Sequence, residues 1–450
     1  MTDYWCELAW LEDAPSFAGE VSAGVLVGVS GDRITSVVTG VAAPPPGTTR
    51  LHGLTVPGLA NAHSHAFQRA LRGRTHRGQG TFWTWRDEMY RLAAGLDPDT
   101  LHELARATFA EMLLAGYTTV GEFHYLHHAV GGKPYADPNA MGLALIDAAA
   151  AAGIRLTLLD TCYLHGGIGQ ELSPAQERFG DGDATAWAQR VEALLPSAGA
   201  ATRIGAAVHS VRAVDPPSIE VVARWARHRG APLHAHVSEQ PAENEQSIAA
   251  YGATPTQVLS TAGALGEWFT AVHATHLTDR DIADLGAAAC ACCICPTTER
   301  DLADGVAPTV RLRAAGVRLS VGSDSQAVVD PWEEMRAIEL GERLVSGRRG
   351  NHAPGELLAT AAVHGHAGLG WAEAGRIAPG ALADLTTVSL DSVRLAATQA
   401  TDAVASTVFA ACAADVHHVV VGGRVMVREG RHVHIDVPQA LAAAVEAAWA

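Results

Sequence analysis

The chain has 450 residues and a formal net charge of −16, from 48 acidic and 32 basic side chains. An acidic surface repels phosphate backbones, so nucleic acid is not expected as a partner. Hydrophobic residues make up 48% and charged residues 18%, as in globular enzymes. Every apolar run of membrane-spanning length is interrupted by charged, Gly or Pro residues, so a membrane span is not expected either.

The seven cysteines favour a reducing compartment. Their number is odd, and four of them crowd into the segment CACCIC, which is not a disulfide framework. The N-terminal segment MTDYWCELAWLED carries acidic residues where a secretory signal peptide needs basic ones. We therefore expect a cytoplasmic protein.

Both ends of the chain show the pattern of short β-strands. Near the N-terminus, β-branched runs alternate with turn residues in GVLVGV, ITSVVTG and RLHGLTVPG. The same pattern recurs near the C-terminus in ALADLTTVSL, VHHVVVGGRVM and VREGRHVHI. These segments predict a small composite β-sandwich domain built from residues 1–56 and 377–450, the second part ending in a C-terminal helix.

The middle of the chain, residues 57–376, alternates short apolar runs with helical patterns. Runs such as TLLDTCY, RIGAAVHS and VRLSVGSD read as buried parallel strands, and PPSIEVVARWARHRG reads as a helix. Repetition over this length predicts an α/β fold, a (β/α)8 TIM-like barrel acting as a metal-dependent hydrolase. In such barrels the carboxyl ends of the strands face the active site.

The first polar strand end lies in PGLANAHSHAF. His63 and His65 are two residues apart, so in a strand both imidazoles point to the same side. Two neutral imidazoles on one face are half of a zinc site, although an isolated pair is equally a polar strand end. The segment PLHAHVSEQ places His236 at another strand end with Glu239 just beyond it. A carboxylate there can carry a proton from water to a leaving amine, or can simply begin a helix.

Two further strand ends complete the series. AVHATHL puts His273 at a strand end, and VGSDSQ puts Asp324 directly after an apolar run. Taken alone, Asp324 suits a helix cap as well as it suits a metal ion. The order HxH, HxHxxE, isolated His and SDS, each at a predicted strand end, favours one shared site.

This order resembles the amidohydrolase superfamily, in its deaminase-like branch with a single metal ion, over nearly the whole chain. The resemblance implies that one Zn²⁺, or another divalent ion such as Fe²⁺, is bound by His63, His65, His236 and Asp324. It also implies that Glu239 shuttles protons, that His273 polarises the reacting centre, and that Asp324 is catalytic as well as metal-binding. Dinuclear members bridge two ions with a carbamylated lysine, but the sole lysine here, Lys133, lies in the Gly- and Pro-containing segment HHAVGGKPYADP. One metal ion is therefore predicted.

Several local segments are similar to one family within this branch, the formimidoylglutamate deiminases. They are HSHAFQRA, FWTWRDEMY, EFHYLHH, HSVRAV, HVSEQ and CPTTERDLADG. This resemblance implies zinc-dependent hydrolysis of N-formimidoyl-L-glutamate to N-formyl-L-glutamate and ammonia, in histidine degradation. It implies a substrate pocket lined by Gln68, Arg86, Tyr125, His209 and Arg212. The two arginines suit a small dicarboxylate, because guanidinium groups match carboxylates in bidentate geometry.

Alternatives stay open at this point. A related deaminase acting on guanidino-glutamate or a nucleobase would share the metal site, and a non-catalytic scaffold of the same fold is a more remote possibility. Arg86 could instead pair with Asp87 or Glu88 on a helix surface, and Arg212 could be an ordinary loop residue. A homodimer is expected by analogy alone.

Two features depart from the simplest pattern. Relatives often carry a histidine two residues after the metal-binding aspartate, whereas this chain has Gln326, which cannot take up a proton. The clustered cysteines alternate within an apolar strand, which favours small buried core residues over a thiolate metal site. They are Cys290, Cys292, Cys293 and Cys295.

Overall fold

The computed structural model describes residues 2–11, 19–76 and 82–450, with side chains from residue 84 in the last range. In chain order the strands are β1 Thr2–Leu11, β2 Glu20–Ser30, β3 Arg33–Val38, β4 Thr49–Pro57, β5 Leu59–Ser64, β6 Tyr117–His124, β7 Arg155–Cys162, β8 Thr202–Val208, β9 Leu233–Val237, β10 Phe269–His273, β11 Ala291–Ile294, β12 Arg318–Val321, β13 Leu385–Val388, β14 Val416–Val421, β15 Arg424–Arg428 and β16 Arg431–His432. The strands form two separate sheets.

Helices fill most of the connections between the barrel strands, and further helices follow the last barrel strand. In chain order they are α1 Phe82–Ala94, α2 Pro98–Ala115, α3 Ala140–Ala152, α4 Ala184–Leu194, α5 Pro216–Arg229, α6 Pro241–Tyr251, α7 Pro255–Thr261, α8 Asp279–Ala287, α9 Pro296–Asp301, α10 Thr309–Ala314, α11 Pro331–Ser346, α12 Pro354–Ala359, α13 Gly365–Gly368, α14 Ala403–Ala410 and α15 Val437–Ala448. The sequence fixes many of their ends. In α5, for example, the Asp215 carboxylate accepts the Ser218 N–H, and Gly230 ends the helix at φ +59.

The first sheet combines both ends of the chain. Its strand order is β16-β15-β14-β13-β4-β1-β2-β3. The N-terminal and C-terminal parts join where β4 pairs antiparallel with β13, and β4 also pairs parallel with β1. The sheet has its own apolar core, which includes Tyr4, Val27, Leu51 and Val420.

The second sheet is a barrel of parallel strands. Its order runs without interruption from β5 to β12, and each neighbouring pair is parallel. A parallel bridge between Ser64 and Asp324 brings the last strand back to the first. The prediction of a (β/α)8 barrel with a β-structure built from both termini is confirmed.

A buried ion pair fastens the two sheets together. Arg155, at the start of β7, donates to both oxygens of Asp384, with Nε–Oδ2 at 2.8 Å and Nη2–Oδ1 at 3.2 Å. Asp384 Oδ1 also accepts the N–H of Gly422 in the terminal sheet. Among the described residues, no helix is long and apolar enough to cross a membrane.

Candidate functional site

Closure of the barrel brings Asp324 to the His-x-His pair. The N–H of Asp324 donates to the carbonyl oxygen of His63, and the N–H of His65 donates to that of Asp324, both at 3.0 Å. Gly322 makes this approach possible, because a Cβ there would lie 2.8 Å from the Cβ of His63. Asp324 itself has φ +46, a strained backbone of the kind found at functional sites.

Four side chains converge where the strands close. Asp324 Oδ1 lies 3.4 Å from Nε2 of both His63 and His65, and His236 Nε2 lies 3.2 Å from His63 Nε2. Zinc bonds of about 2.0–2.1 Å at tetrahedral angles place neighbouring donor atoms about 3.3 Å apart. His63, His65 and Asp324 lie close enough together to hold one ion, and so do His63, His236 and His273, so the four predicted ligands adjoin one another and their shared role stays a prediction.

Outer hydrogen bonds prepare the imidazoles for a metal ion. His65 donates from Nδ1 to the carbonyl oxygen of Phe123 at 2.9 Å, and His236 donates from Nδ1 to that of His209 at 2.8 Å. Each Nε2 is then a free lone pair facing the cluster. Burial lowers the pKa of His63 to about 3, so this ring stays neutral as metal binding demands. The chemistry of the donor set thus fits zinc.

Glu239 and His273 lie against this cluster. Glu239 is in the loop between β9 and α6, and His273 ends β10 with φ +67. His273 Nε2 lies 3.8 Å from Glu239 Oε1 and 3.7 Å from Asp324 Oδ2. Although burial opposes it, the charges of Glu239, Asp324 and Glu299 raise the pKa of His273 well above its usual value. An acid–base pair can therefore act at one point beside the ion site.

One cavity of about 200 Å³ connects the cluster with the residues predicted to bind substrate. Its lining includes Gln68, Arg86, Tyr125, His209 and Arg212, together with His65, His236, Glu239, His273 and Asp324. Gln68 Nε2 donates to Tyr125 Oη at 2.9 Å, and Gln68 Oε1 has no hydrogen-bond partner among the described residues. Arg86 lies on α1 with its guanidinium 5.5 Å from the ring centroid of Tyr90. The structure brings every predicted site residue to this cavity or its floor, and their roles stay predictions.

Arg212 links the cavity to the acid–base pair. Its Nη2 lies 3.4 Å from Glu239 Oε2, and its Nε lies 3.9 Å from Glu243 Oε1. Burial and the positive charge of Arg212 lower the pKa of His209 well below its usual value. The neutral His209 ring can therefore donate or accept a hydrogen bond at this end of the cavity, and Arg212 supplies the positive charge there.

Three buried carboxylates near the site were missed in the sequence. Glu243 contacts Arg212, Glu299 Oε1 lies 3.4 Å from His273 Nδ1, and burial and Glu239 raise the pKa of Asp304 to about 8. Glu243 and Glu299 belong to helix starts, where acidic residues are ordinary, so only their burial distinguishes them. The spacing within HVSEQPAENE and CPTTERDLADG is the one signal that could have suggested them.

Other candidate features lie elsewhere. Lys133 is exposed in a loop and does not lie on a barrel strand, where a lysine that bridges two metal ions would be needed. A second buried cluster consists of His124, His127 and Asp160. Its carboxylate is already paired with the Arg190 guanidinium, which donates to both oxygens of Asp160 at 2.8 Å. The four clustered cysteines are free and fully buried in and beside β11, and Cys295 also lies in a group with His273 and Glu299.

The sequence model of the Amidohydrolase family matches residues 54–426. A formimidoylglutamate deiminase of Pseudomonas aeruginosa is 38% identical over 398 residues, which cover 86% of this chain and 87% of that protein. A 5-methylthioadenosine/S-adenosylhomocysteine deaminase of Natronomonas pharaonis is 29% identical, with 84% of this chain and 82% of that protein covered. The resemblance inferred from the local segments is confirmed.

Solved structures agree with this family. An amidohydrolase from Brucella melitensis superposes with a TM-score of 0.92 at 32% identity, covering 100% of both chains. An adenosine deaminase from Xanthomonas campestris with bound zinc shares the fold, with a TM-score of 0.84 at 21% identity over 99% of this chain and 97% of the other. The chain belongs to the amidohydrolase family and is an enzyme that hydrolyses C–N bonds.

Proposed function

We propose that this enzyme removes the terminal nitrogen of N-formimidoyl-L-glutamate, giving N-formyl-L-glutamate and ammonia, as a step of histidine degradation. The observation that carries the proposal is a single cavity joining Arg86 and Arg212 to the four-ligand cluster. A dicarboxylate bound by two guanidinium groups places its remaining substituent toward that cluster. The 38% identity to a formimidoylglutamate deiminase supports the same substrate class.

The residues divide the work between binding and proton transfer. Arg86 and Arg212 bind the carboxylates, with Tyr125 and His209 as further hydrogen-bonding groups. Gln68 keeps Oε1 as an acceptor for an N–H of the substrate, because its Nε2 is engaged by Tyr125. A zinc ion held by the four ligands would supply Lewis acidity and an activated water.

Proton transfer belongs to Glu239 and His273. Glu239 takes the proton that the attacking water loses as its oxygen bonds to the formimidoyl carbon. His273, 3.8 Å from Glu239, stabilises negative charge that develops at the attacked centre. Glu239 then delivers that proton to the terminal nitrogen, takes the remaining hydroxyl proton of the adduct as the C=O bond forms, and passes it to the same nitrogen, so the C–N bond breaks with release of NH3.

The experiment is an ammonia-release assay on the purified enzyme with three substrates at matched concentrations. Formimidoyl-glutamate should be turned over, while 8-oxoguanine, named in a Pseudomonas aeruginosa relative 29% identical to this chain, should not be. Guanidino-glutamate tests the closest rival, since it presents the same carboxylates. Turnover of the nucleobase but not of formimidoyl-glutamate would refute the proposal.

The remaining expectations are part of the same proposal. Metal analysis should find about one ion per chain, with zinc rather than iron restoring activity to the metal-free protein. The domain division at residues 57 and 376, the homodimer and the cytoplasmic location stay proposals. Sedimentation of the purified enzyme would test the dimer.

A further inference from the structure

A second group of metal-type donors lies behind His273. The Nδ1 of His273, the Sγ of Cys295 and a carboxylate oxygen of Glu299 all lie within 4.8 Å of one another. Each of the three residues is at most 3% exposed. This group faces away from the four-ligand cluster, because His273 turns Nε2 toward Asp324 and Nδ1 toward Glu299.

The spacing of two of these donors suits a cation as well as it suits the long hydrogen bond that joins them. His273 Nδ1 and Glu299 Oε1 are 3.4 Å apart, whereas a charge-assisted N–H···O bond is about 2.7–2.9 Å long. Two bonds of about 2.0–2.1 Å at a tetrahedral angle span about 3.3 Å. The carboxylate is fixed in this position, because Glu299 Oε1 also accepts the N–H of Cys295 at 2.8 Å.

The surrounding charge also favours a cation. Glu239, Glu299, Asp304 and Asp324 all act electrostatically on one another around His273. Burial, followed by the charge of Glu239, raises the pKa of Asp304 to about 8. Asp304 Oδ2 has no hydrogen-bond partner among the residues that the structure describes.

We propose that His273, Cys295 and Glu299 form a second binding site, for a thiophilic divalent cation such as Cd²⁺ or excess Zn²⁺. Soft thiolate ligands select such ions, and imidazole accepts them as well. On binding, the Cys295 thiol and His273 Nδ1 each release a proton to solvent as their bonds to the ion form. Because the ion binds a residue of the proposed active site, occupancy of the site lowers turnover. Metal uptake here does not depend on the proposed substrate.

The test uses the zinc-loaded enzyme, dialysed against cadmium chloride and analysed for both metals. Wild-type protein should keep its zinc, take up one Cd²⁺ per chain and gain the ultraviolet absorption of a cadmium–thiolate bond. Cys295→Ser should lose that absorption and bind the ion at least about tenfold more weakly. Cys6→Ser, which replaces an equally buried free thiol in β1 of the terminal sheet, is the matched control and should behave like wild type.

Three results would overturn the site. They are wild-type enzyme that shows no thiolate absorption, Cys295→Ser protein that keeps it, and a Cd²⁺ ion that merely displaces the zinc. In an activity assay, Cys295→Ser should also raise the half-inhibitory Cd²⁺ concentration at least about tenfold. Cd²⁺ uptake and the cadmium–thiolate absorption are both measured without substrate. They would therefore still test this site if the proposed reaction on formimidoyl-glutamate proved wrong.

Discussion

Replacing Glu243 with Gln is expected to impair catalysis, because this carboxylate holds two proposed active residues in register. Glu243 Oε2 accepts the backbone N–H of Glu239 at 3.1 Å, and Oε1 lies 3.9 Å from Arg212 Nε. The Glu243 side chain is completely buried. Burial raises its pKa, and the charge of Arg212 opposes that rise.

The size of the effect follows from these contacts. A Gln side chain can still accept the Glu239 N–H, but it carries no charge toward Arg212. Arg212 is then left with Glu239, whose Oε2 is 3.4 Å away, and this pairing competes with both proton transfer and carboxylate binding. At 3.9 Å the Arg212–Glu243 pair is an electrostatic contact, and of its roughly 4 kcal/mol at an effective dielectric constant of about 20 we expect about 1.5–3 kcal/mol to be lost. Lost from the transition state, that is about a 10- to 150-fold fall in kcat/KM.

Steady-state ammonia release gives kcat and KM for this variant. A change mainly in KM would indicate misplacement of Arg212, and a change mainly in kcat misplacement of Glu239. Glu245→Gln is the matched control, since Glu245 is exposed on the same helix. If Glu243→Gln stays within about twofold of the control while binding metal normally, the positioning role is wrong.

Three further predictions concern stability. Asp384→Ala should lower the free energy of unfolding, measured in urea titrations, by about 3–5 kcal/mol, because it removes the carboxylate paired with the buried Arg155 guanidinium. The control is Glu220→Ala, which breaks an exposed pair with Arg224 and should change the free energy of unfolding little. Removing the metal ion with a chelator should lower the Tm in calorimetry, and added zinc should restore it, because the ion binds only the folded cluster. Burial raises the pKa of Glu122 from 4.5 to about 8, so folding takes up a proton and the free energy of unfolding falls as pH rises between these values; Glu122→Gln should remove that part of the slope.

The barrel and the metal-type cluster could be predicted because their signals are local. His63 and His65 lie at one strand end, and His236, His273 and Asp324 at or just after others, so parallel strands alone bring them to one edge. For the composite sheet, the sequence indicated β-strands at both ends of the chain but not which strands pair with each other. The two ends are joined where β4, already parallel to β1, pairs antiparallel with β13, and that pairing links residues more than three hundred apart, such as Thr55 with Thr387.

The buried carboxylates could not be predicted, because their environment is made by distant segments. Glu299 follows β11, but its partner His273 ends β10. Asp304 lies in a loop, and its pKa is raised first by burial and then by the charge of Glu239, which follows β9. A sequence shows that such residues are acidic but not that they are buried, and burial is what changes their chemistry.

Gln326 shows how a departure from the common pattern can leave the ion site whole. Its Nε2 donates to Ser64 Oγ at 3.0 Å and to the carbonyl oxygen of Asp324 at 2.8 Å, while its Oε1 accepts from Ser323 Oγ at 2.7 Å. One neutral amide thus supplies the two donors and the acceptor that fix the Asp324 loop against β5, whereas a neutral histidine has only one N–H to donate. Because Gln326 adds no charge, the pKa of Asp324 is set by burial, which raises it, and by the histidines around it, which hold it well below its usual range. Gln326 therefore adds no proton-transfer group to the site, and the proposed acid–base chemistry depends on Glu239 and His273 instead.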